Sequence, residues 1–478
     1  MNIAVVGAGI SGVTLAYLLS EKKKRGANIE ITVFEAEAES GGCIKTIVSD
    51  GFMLESGPNG ILNSREHVRR ILDGGGLLSQ TELSSPLTKR RYLEIGGALL
   101  KAPQGVWEAI ATPILTFQGK LRILKEPFIP PKTDFNGDES VFDFAERRLG
   151  SEAAEKLIAT LVGGVFAGDA KKLSMSTSFP RLYELEKEHG SLLKGMFARI
   201  KGKKSERHAR PKDSYKLIST SNGMKGFVDL LENAVTDVSF RYQAPIKSVF
   251  KNLDGGYTVT SIGSGVEVAE RYDAVALCCN AKAISLIIGN IAPKLSAEFA
   301  KISFAPVFMV GFGIDRTAVS HPLDGFGYLV NYVERAAVLG TLFSSTLFKG
   351  RAPEGRVMLS VIGVGDGRND YFLKSDEELS ELIFQSVKKP LGITGAPQTV
   401  LSFRTENAIP QYYAGHRELI NLAEEAMREH RGIYIGGNSL YGISVSDCMK
   451  RSLEIAESIE SFSARKNQSK TESWQKIR

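Results

Sequence analysis

Cysteine is scarce: four in 478 residues, none in a CxxC pair or at zinc-ligand spacing. Cys278 and Cys279 close the apolar run Ala274-Val275-Ala276-Leu277 and read as small core residues, while Cys43 and Cys448 stand apart. A disulfide framework and a structural zinc site are excluded, and a reducing compartment is expected. The six histidines are scattered with no pair at ligand spacing, so no protein-held metal is expected. Long apolar runs are missing as well. None reaches the ~18 residues that span a bilayer. The nearest, Phe304 to Ile314, contains Pro306, Gly311 and Gly313 and reads as a buried strand. No secretory leader is read, because the first strand starts at residue 3, and a cytoplasmic chain is expected. No Ser/His/Asp set, no paired carboxylates and no internal repeat stand out.

The formal charge of +6 is local. Between Arg199 and Lys212 lie seven basic residues and one acid, Glu206; elsewhere the two signs balance. A nucleic-acid groove spread over the surface is therefore not expected. The basic stretch reads as a solvated loop, with contact to anionic lipid as the alternative.

What is present is a βαβ unit at the N-terminus. Ile3-Ala4-Val5-Val6 is a strand buried on both faces, and Val13 to Leu19 is a buried helix. Between them runs Gly7-Ala8-Gly9-Ile10-Ser11-Gly12, and a second apolar strand, Ile29 to Phe34, ends on Glu35. This is the GxGxxG pattern of a dinucleotide site. Gly7 makes the tight turn, Gly9 admits a pyrophosphate to the backbone, and Gly12 lets helix and strand pack. The unpaired N–H groups of the helix start face the phosphates. Glu35 accepts from a ribose diol, and its charge repels a 2′-phosphate, which argues against NADP.

The chain is long enough for two or three domains. Hairpins are read around Asp50-Gly51 and Gly96-Gly97, and a helix over Arg65 to Leu78. Residues 105–125 mix Trp107, Ile110, Phe117 and Leu121 with Lys120, Arg122 and Lys125. Pro113 divides them into two short amphipathic helices, suited equally to a membrane interface and to internal packing. Val141 to Leu161 is helical, whereas Gly163-Gly164-Val165-Phe166-Ala167-Gly168-Asp169 is too glycine-rich for a helix interior. Val238 to Leu277 reads as short strands, 303–314 and 356–363 as strands of a second sheet, and Asp376 to Lys388 as a helix. The buried strand Gly432 to Asn438 precedes Ser444-Val445-Ser446-Asp447, which caps a helix running to about Ser461. Such a helix start favours an anionic group. The tail is polar, and disorder is expected there.

These motifs resemble the amine-oxidase-type flavoproteins and, within them, the oxygen-using porphyrinogen oxidase family. Gly7-x-Gly9-x-x-Gly12, Glu35 and Gly41-Gly42 are generic to FAD enzymes. The specific parts are Glu55-x-Gly57-Pro58-Asn59, Arg91-Tyr92-Leu93, Gly164 to Asp169 with Leu173-Ser174, and Glu186-x-Glu188-His189-x-Ser191-Leu192. Gly325 to Val330, Ile409-Pro410-Gln411-Tyr412 with Gly415-His416, and Gly442 to Cys448 complete the set. Two positions depart from the family: Glu39 stands where an arginine usually helps hold the FAD phosphates, and Gly60-Ile61 replaces Ser-Phe.

The resemblance implies a mixed α/β fold. A Rossmann-like FAD-binding domain would be assembled from 1–91, 217–281 and 412–463, and a mixed-sheet substrate domain from 92–101, 177–216 and 282–411. A helical, membrane-contacting subdomain would span 102–176, with a disordered tail over 464–478. It implies oxidation of protoporphyrinogen IX to protoporphyrin IX in three two-electron steps. Each passes a hydride to FAD, which O2 reoxidises with formation of H2O2. The FAD site would use Gly7, Gly9, Ile10, Ser11, Gly12, Glu35, Gly42, Gly57, Pro58, Asn59, Ser444, Val445 and Ser446. For the porphyrinogen, Arg91 would bind a propionate, Leu329, Leu342 and Val361 would sandwich the macrocycle, and the Gly164 carbonyl would approach it. No protein residue is expected to carry the chemistry. Coproporphyrinogen III, with four propionates, is the alternative substrate, and Arg65 lies where a further cation is useful. Rival readings are an oxidase acting on an amine or carotenoid and a dinucleotide-binding module without redox turnover.

Overall fold

The apolar strand Asn2–Val6 lies at the centre of a five-stranded parallel sheet, in the order Ser239–Arg241, Glu30–Phe34, Asn2–Val6, Ala274–Leu277, Ile433–Ile435. A strand covered on both faces needs apolar side chains at every position. Ile3 and Val5 face the helices Ile10–Lys24 and Val445–Lys476, and Ala4 and Val6 face Ala281–Ile288 and the antiparallel strands 246–272. The computed structural model describes residues 1–132, 137–202, 213–331, 337–365 and 370–476. Most of the basic stretch 199–212 falls outside them.

The second sheet has seven strands, ordered Thr399–Pro410, Phe304–Asp315, Arg356–Val364, Val338–Phe343, Gly327–Val330, Tyr92–Ile95, Ala98–Lys101. Neighbours are antiparallel except Gly327–Val330 with Tyr92–Ile95. One face packs on the helix Asp376–Leu391 through Val310, Leu359, Val361, Leu379 and Ile383. The other receives the hairpin Thr46–Ser49/Phe52–Glu55 of the first unit. A Cβ on Gly311 would lie 3.1 Å from Leu54, and one on Gly313 2.7 Å from the Phe52 ring, so these glycines let the hairpin seat.

Helices fill most of Val106 to Gly202, beyond the expected limit at 176, because Leu185 and Leu192 share a core with Phe144, Phe166 and Tyr412. Glu126 joins them: its carboxylate accepts from Leu192 N at 2.8 Å, Leu193 N at 3.1 Å and Ser191 Oγ at 2.6 Å, and pairs with fully buried Arg148. The glycine pair does not end a helix as expected. Thr160–Phe166 runs through Gly163 and Gly164, because a Cβ at Gly164 would lie 2.5 Å from Leu329. Close packing outweighs propensity there. The last helix continues past Ser461 to Lys476. Lys466 Nζ donates to Asp273, which ties that continuation to the parallel sheet. Among the described residues no helix is long and apolar enough to cross a membrane.

Candidate functional site

The glycine turn after the first strand forms an open cradle. Gly7 has φ 97°, and a Cβ there would press on the Cys278–Cys279 backbone at 3.2–3.3 Å. A Cβ on Gly12 would lie 1.8 Å from the Gly7 carbonyl, so only glycine lets the helix pack. Gly9 differs: its Cβ position meets nothing nearer than the Gly41 carbonyl at 3.9 Å. That free space is what a pyrophosphate needs. Gly41 bridges to Gly9, and Gly42 lies beside it. The helix beginning at Ile10 and Ser11 has no side-chain cap and no acid in its first turn, leaving its N–H groups for an anion.

Glu35 is held beside this turn. Its Oε2 accepts from Ala8 N at 2.6 Å and its Oε1 from Glu37 N at 3.0 Å. Each oxygen keeps a lone pair for a ribose hydroxyl. Ser452 Oγ donates to Ser11 O at 2.8 Å, which docks the C-terminal helix against the N-terminal one. Ser444 caps that helix, accepting from Asp447 N at 3.1 Å, and Ser446 O lies 2.7 Å from His67 Nε2. Val445 opens the helix between them. The residues present therefore fit a bound dinucleotide.

The turn Gly57-Pro58-Asn59 is half-buried and closed by Asn59 Nδ2 donating to Gly57 O at 3.0 Å. Its anchor is Glu55, which accepts from Met224 N at 3.0 Å and Thr46 Oγ1 at 2.6 Å. Burial pushes the Glu55 carboxyl above the usual range, despite Arg351 nearby. Lys225 was not singled out by sequence, being far from the glycines in the chain. Its carbon chain lies 3.2–3.4 Å from the Gly41 Cβ position, and Nζ is 3.7 Å from Glu39. The exposed acid at the departing position is thus offset by a lysine from another element.

On the seven-stranded sheet, register decides which candidates meet. Leu93, Leu329, Gly340 and Ile362 occupy one row, and Gly327 and Leu342 the next on the same face. Arg91, two residues before Leu93, shares that face. Its guanidinium lies 5.1 Å from the Phe326 ring, and Phe326 and Leu342 both pack against the cluster of Leu217, Leu347 and Phe348. Among the described residues Arg91 makes no ion pair; it is exposed, and partial desolvation lowers its pKa from the ordinary arginine value. Gly164 packs on Leu329. Val361 does not join them. It pairs with Thr341 and Val310, is fully buried on the opposite face, and leaves Ile362 as the residue of that strand on the Leu329 side.

Comparison with known proteins follows the same outline. The model of the family described as flavin containing amine oxidoreductase matches residues 10–459. Protoporphyrinogen oxidase 2 of Arabidopsis thaliana is 29% identical over 96% of this chain and 94% of its own. Coproporphyrinogen III oxidase of Bacillus subtilis is 26% identical over 94% and 95%. A crystal structure from Exiguobacterium sp. 255-15, provisionally assigned as a protoporphyrinogen oxidase, superposes with a TM-score of 0.78 at 23% identity, covering 96% of this chain and 98% of that one. At that identity the likeness establishes the fold alone. With a dinucleotide cradle and a family model spanning nearly its whole length, the chain belongs to the flavin containing amine oxidoreductases and is a flavoprotein oxidoreductase with FAD as its cofactor.

Proposed function

We propose that this flavoprotein oxidises a porphyrinogen to a porphyrin, with protoporphyrinogen IX as substrate, O2 as acceptor and H2O2 as by-product. The observation that carries the reading is the face shared by Arg91, Leu329, Leu342 and Gly164: one cation, without an acid among the described residues, beside an apolar surface. A flat macrocycle with carboxylates at one edge matches that distribution. Bound FAD supplies hydride acceptance and reoxidation by O2. The protein supplies orientation. Leu329 and Leu342 cover the macrocycle, and Gly164, lacking a side chain, leaves room for the Leu329 side chain and keeps its carbonyl for the ring edge. Apolar contact alone leaves the ring free to rotate in its plane. The planar guanidinium of Arg91 removes that freedom through two parallel hydrogen bonds to a propionate.

The test follows porphyrin fluorescence with flavin-replete protein. Arg91→Ala should raise KM and lower kcat, a loss of ~1.5–3 kcal/mol in transition-state binding. Arg91→Lys should recover part of it, keeping the charge and losing the fork. Wild-type kcat/KM in Arg91→Ala would refute the assignment. Coproporphyrinogen III is the second reading, favoured by Arg65, which pairs with no acid among the described residues and adds to the burial that lowers the pKa of nearby His67. Relative kcat/KM on the two porphyrinogens separates the readings. The same proposal includes peripheral membrane contact through the exposed side chains of Trp107 and Phe117.

A further inference from the structure

Two consecutive side chains link the substrate-side helix to the loop before the C-terminal helix. Gln411 and Tyr412 follow the strand Thr399–Pro410 and are 5% and 1% exposed. Gln411 Nε2 donates at 2.9 Å to Phe166 O and at 2.9 Å to Ile409 O. Phe166 ends the helix that carries Gly164. Gly168 is moulded to this amide, since a Cβ there would lie 2.1 Å from Gln411 Oε1. That oxygen is buried and has no hydrogen-bond partner among the described residues, so the two donations from Nε2 are the bonds that hold this amide.

Tyr412 reaches toward the other side. Its hydroxyl donates to Asn438 O and accepts from Gly442 N at 3.0 Å. Gly442 stands two residues before the capping Ser444. The Tyr412 ring stacks on His416, with centroids 3.9 Å apart and planes 14° apart, and meets the Phe166 ring edge-on at 6.4 Å. Its carbonyl accepts from Ser174 N at 2.8 Å. Ring contacts with His416 and Phe166, two bonds at the hydroxyl and one at the carbonyl hold this residue in place. The dipeptide is therefore a rigid connection between two loops of different units.

We propose that Gln411 and Tyr412 form one positioning strut, which sets the separation between the Gly164 helix end and the loop Asn438–Gly442, and hence between bound macrocycle and bound cofactor. This rests on the porphyrinogen oxidase reading. Neither residue is catalytic; each acts through the backbone it holds. Misplacement of about 1 Å is enough to slow a transfer about a hundredfold.

The test uses Tyr412→Phe, which keeps the ring stack and removes the hydroxyl, and Gln411→Met, which keeps length and removes the donor. Gln411→Leu serves as a second donor-free variant should the methionine variant fail to fold. FAD affinity is read by flavin fluorescence on titrating apo-protein. The rate of flavin bleaching by protoporphyrinogen IX is read in a single anaerobic turnover. Tyr412→Phe should weaken FAD and slow bleaching, each about tenfold or more; Gln411→Met should slow bleaching similarly, with FAD affinity unchanged and KM moved less than kcat. The double variant should be no slower than the slower single, because the two ends of one strut fail together. Bleaching within about twofold of wild type in both singles, or a double-variant loss equal to the product of the two, overturns the strut. A wild type that binds FAD without oxidising either porphyrinogen refutes the functional reading instead. FAD affinity then decides the strut, and unchanged binding in Tyr412→Phe rejects it.

Discussion

Lys89, Arg90 and Arg91 are three cations in a row, and nothing in their sequence separates them. The fold assigns each a different neighbour. Lys89 lies over the Tyr215 ring at 4.5 Å, Arg90 pairs with Asp324, and Arg91 lies over Phe326 with no acid among the described residues. Resemblance pointed to Arg91; composition could not. His416 is a similar case, a histidine in a motif with no legible task. It is buried, stacked on Tyr412, with Nε2 3.2 Å from Leu440 O. Burial pushes its pKa down to about 4, with Asp138 opposing and Arg417 adding to the effect. A depressed histidine stays neutral when folded and takes up a proton when unfolded. Stability should therefore fall as pH drops from about 6.5 to about 4, by up to about 3 kcal/mol, and level off below. Urea midpoints between pH 7 and 4 should show this slope in the wild type and a shallower one in His416→Gln. Equal slopes in the two proteins would assign the acid sensitivity to other groups.

At the scale of elements, the pieces with strong local signals were legible. The βαβ unit, both hairpins, the division of residues 105–125 by Pro113 and the Ser444 cap follow from turn chemistry and periodicity. Two features were not. Gly163-Gly164 reads as a breaker, yet lies inside a helix because of contact with Leu329 on a distant strand. Val361 and Ile362 could not be told apart either. Their strand, Arg356–Val364, is buried on both faces, so it carries no alternation from which to read the facing side. Only pairing with Gly340 and Met309 puts Ile362 beside Leu329. Val361→Ala should therefore cost about 2 kcal/mol of stability with kinetics unchanged. Ile362→Ala should cost less stability and raise KM for the porphyrinogen several-fold, as apolar pocket contacts do. The reverse pattern in melting and steady-state assays would place the macrocycle on the other face.

Across the whole molecule, sequence order hides the contacts that build the site. Lys225 covers Gly41, Gln411 holds Phe166, and Ser452 meets Ser11, each pair joined only by the return of the chain. The proposed membrane contact also belongs to this scale. The stretch 105–125 is neither wholly packed nor wholly exposed. Ile114, Leu115 and Ile123 enter a core with Leu93, and Arg122 is committed to the carbonyls of Arg147 and Arg148. Trp107 and Phe117 are 76% and 75% exposed, with Leu121, Leu124 and Phe128 also outward. Exposed aromatics of this size each gain roughly 1.5–3 kcal/mol on leaving water, which gives a folded protein a reason to adsorb to lipid. Vesicles of anionic lipid should bind the wild type. Trp107→Glu with Phe117→Glu should weaken that binding at least about tenfold, with flavin content unchanged. Salt should remove only the electrostatic share, since exposed charges are screened beyond ~8 Å at physiological ionic strength. Sedimentation at low and high salt distinguishes the two. Retained binding in the double variant would discard the aromatic contact, and complete release by salt alone would transfer the attachment to the basic stretch 199–212.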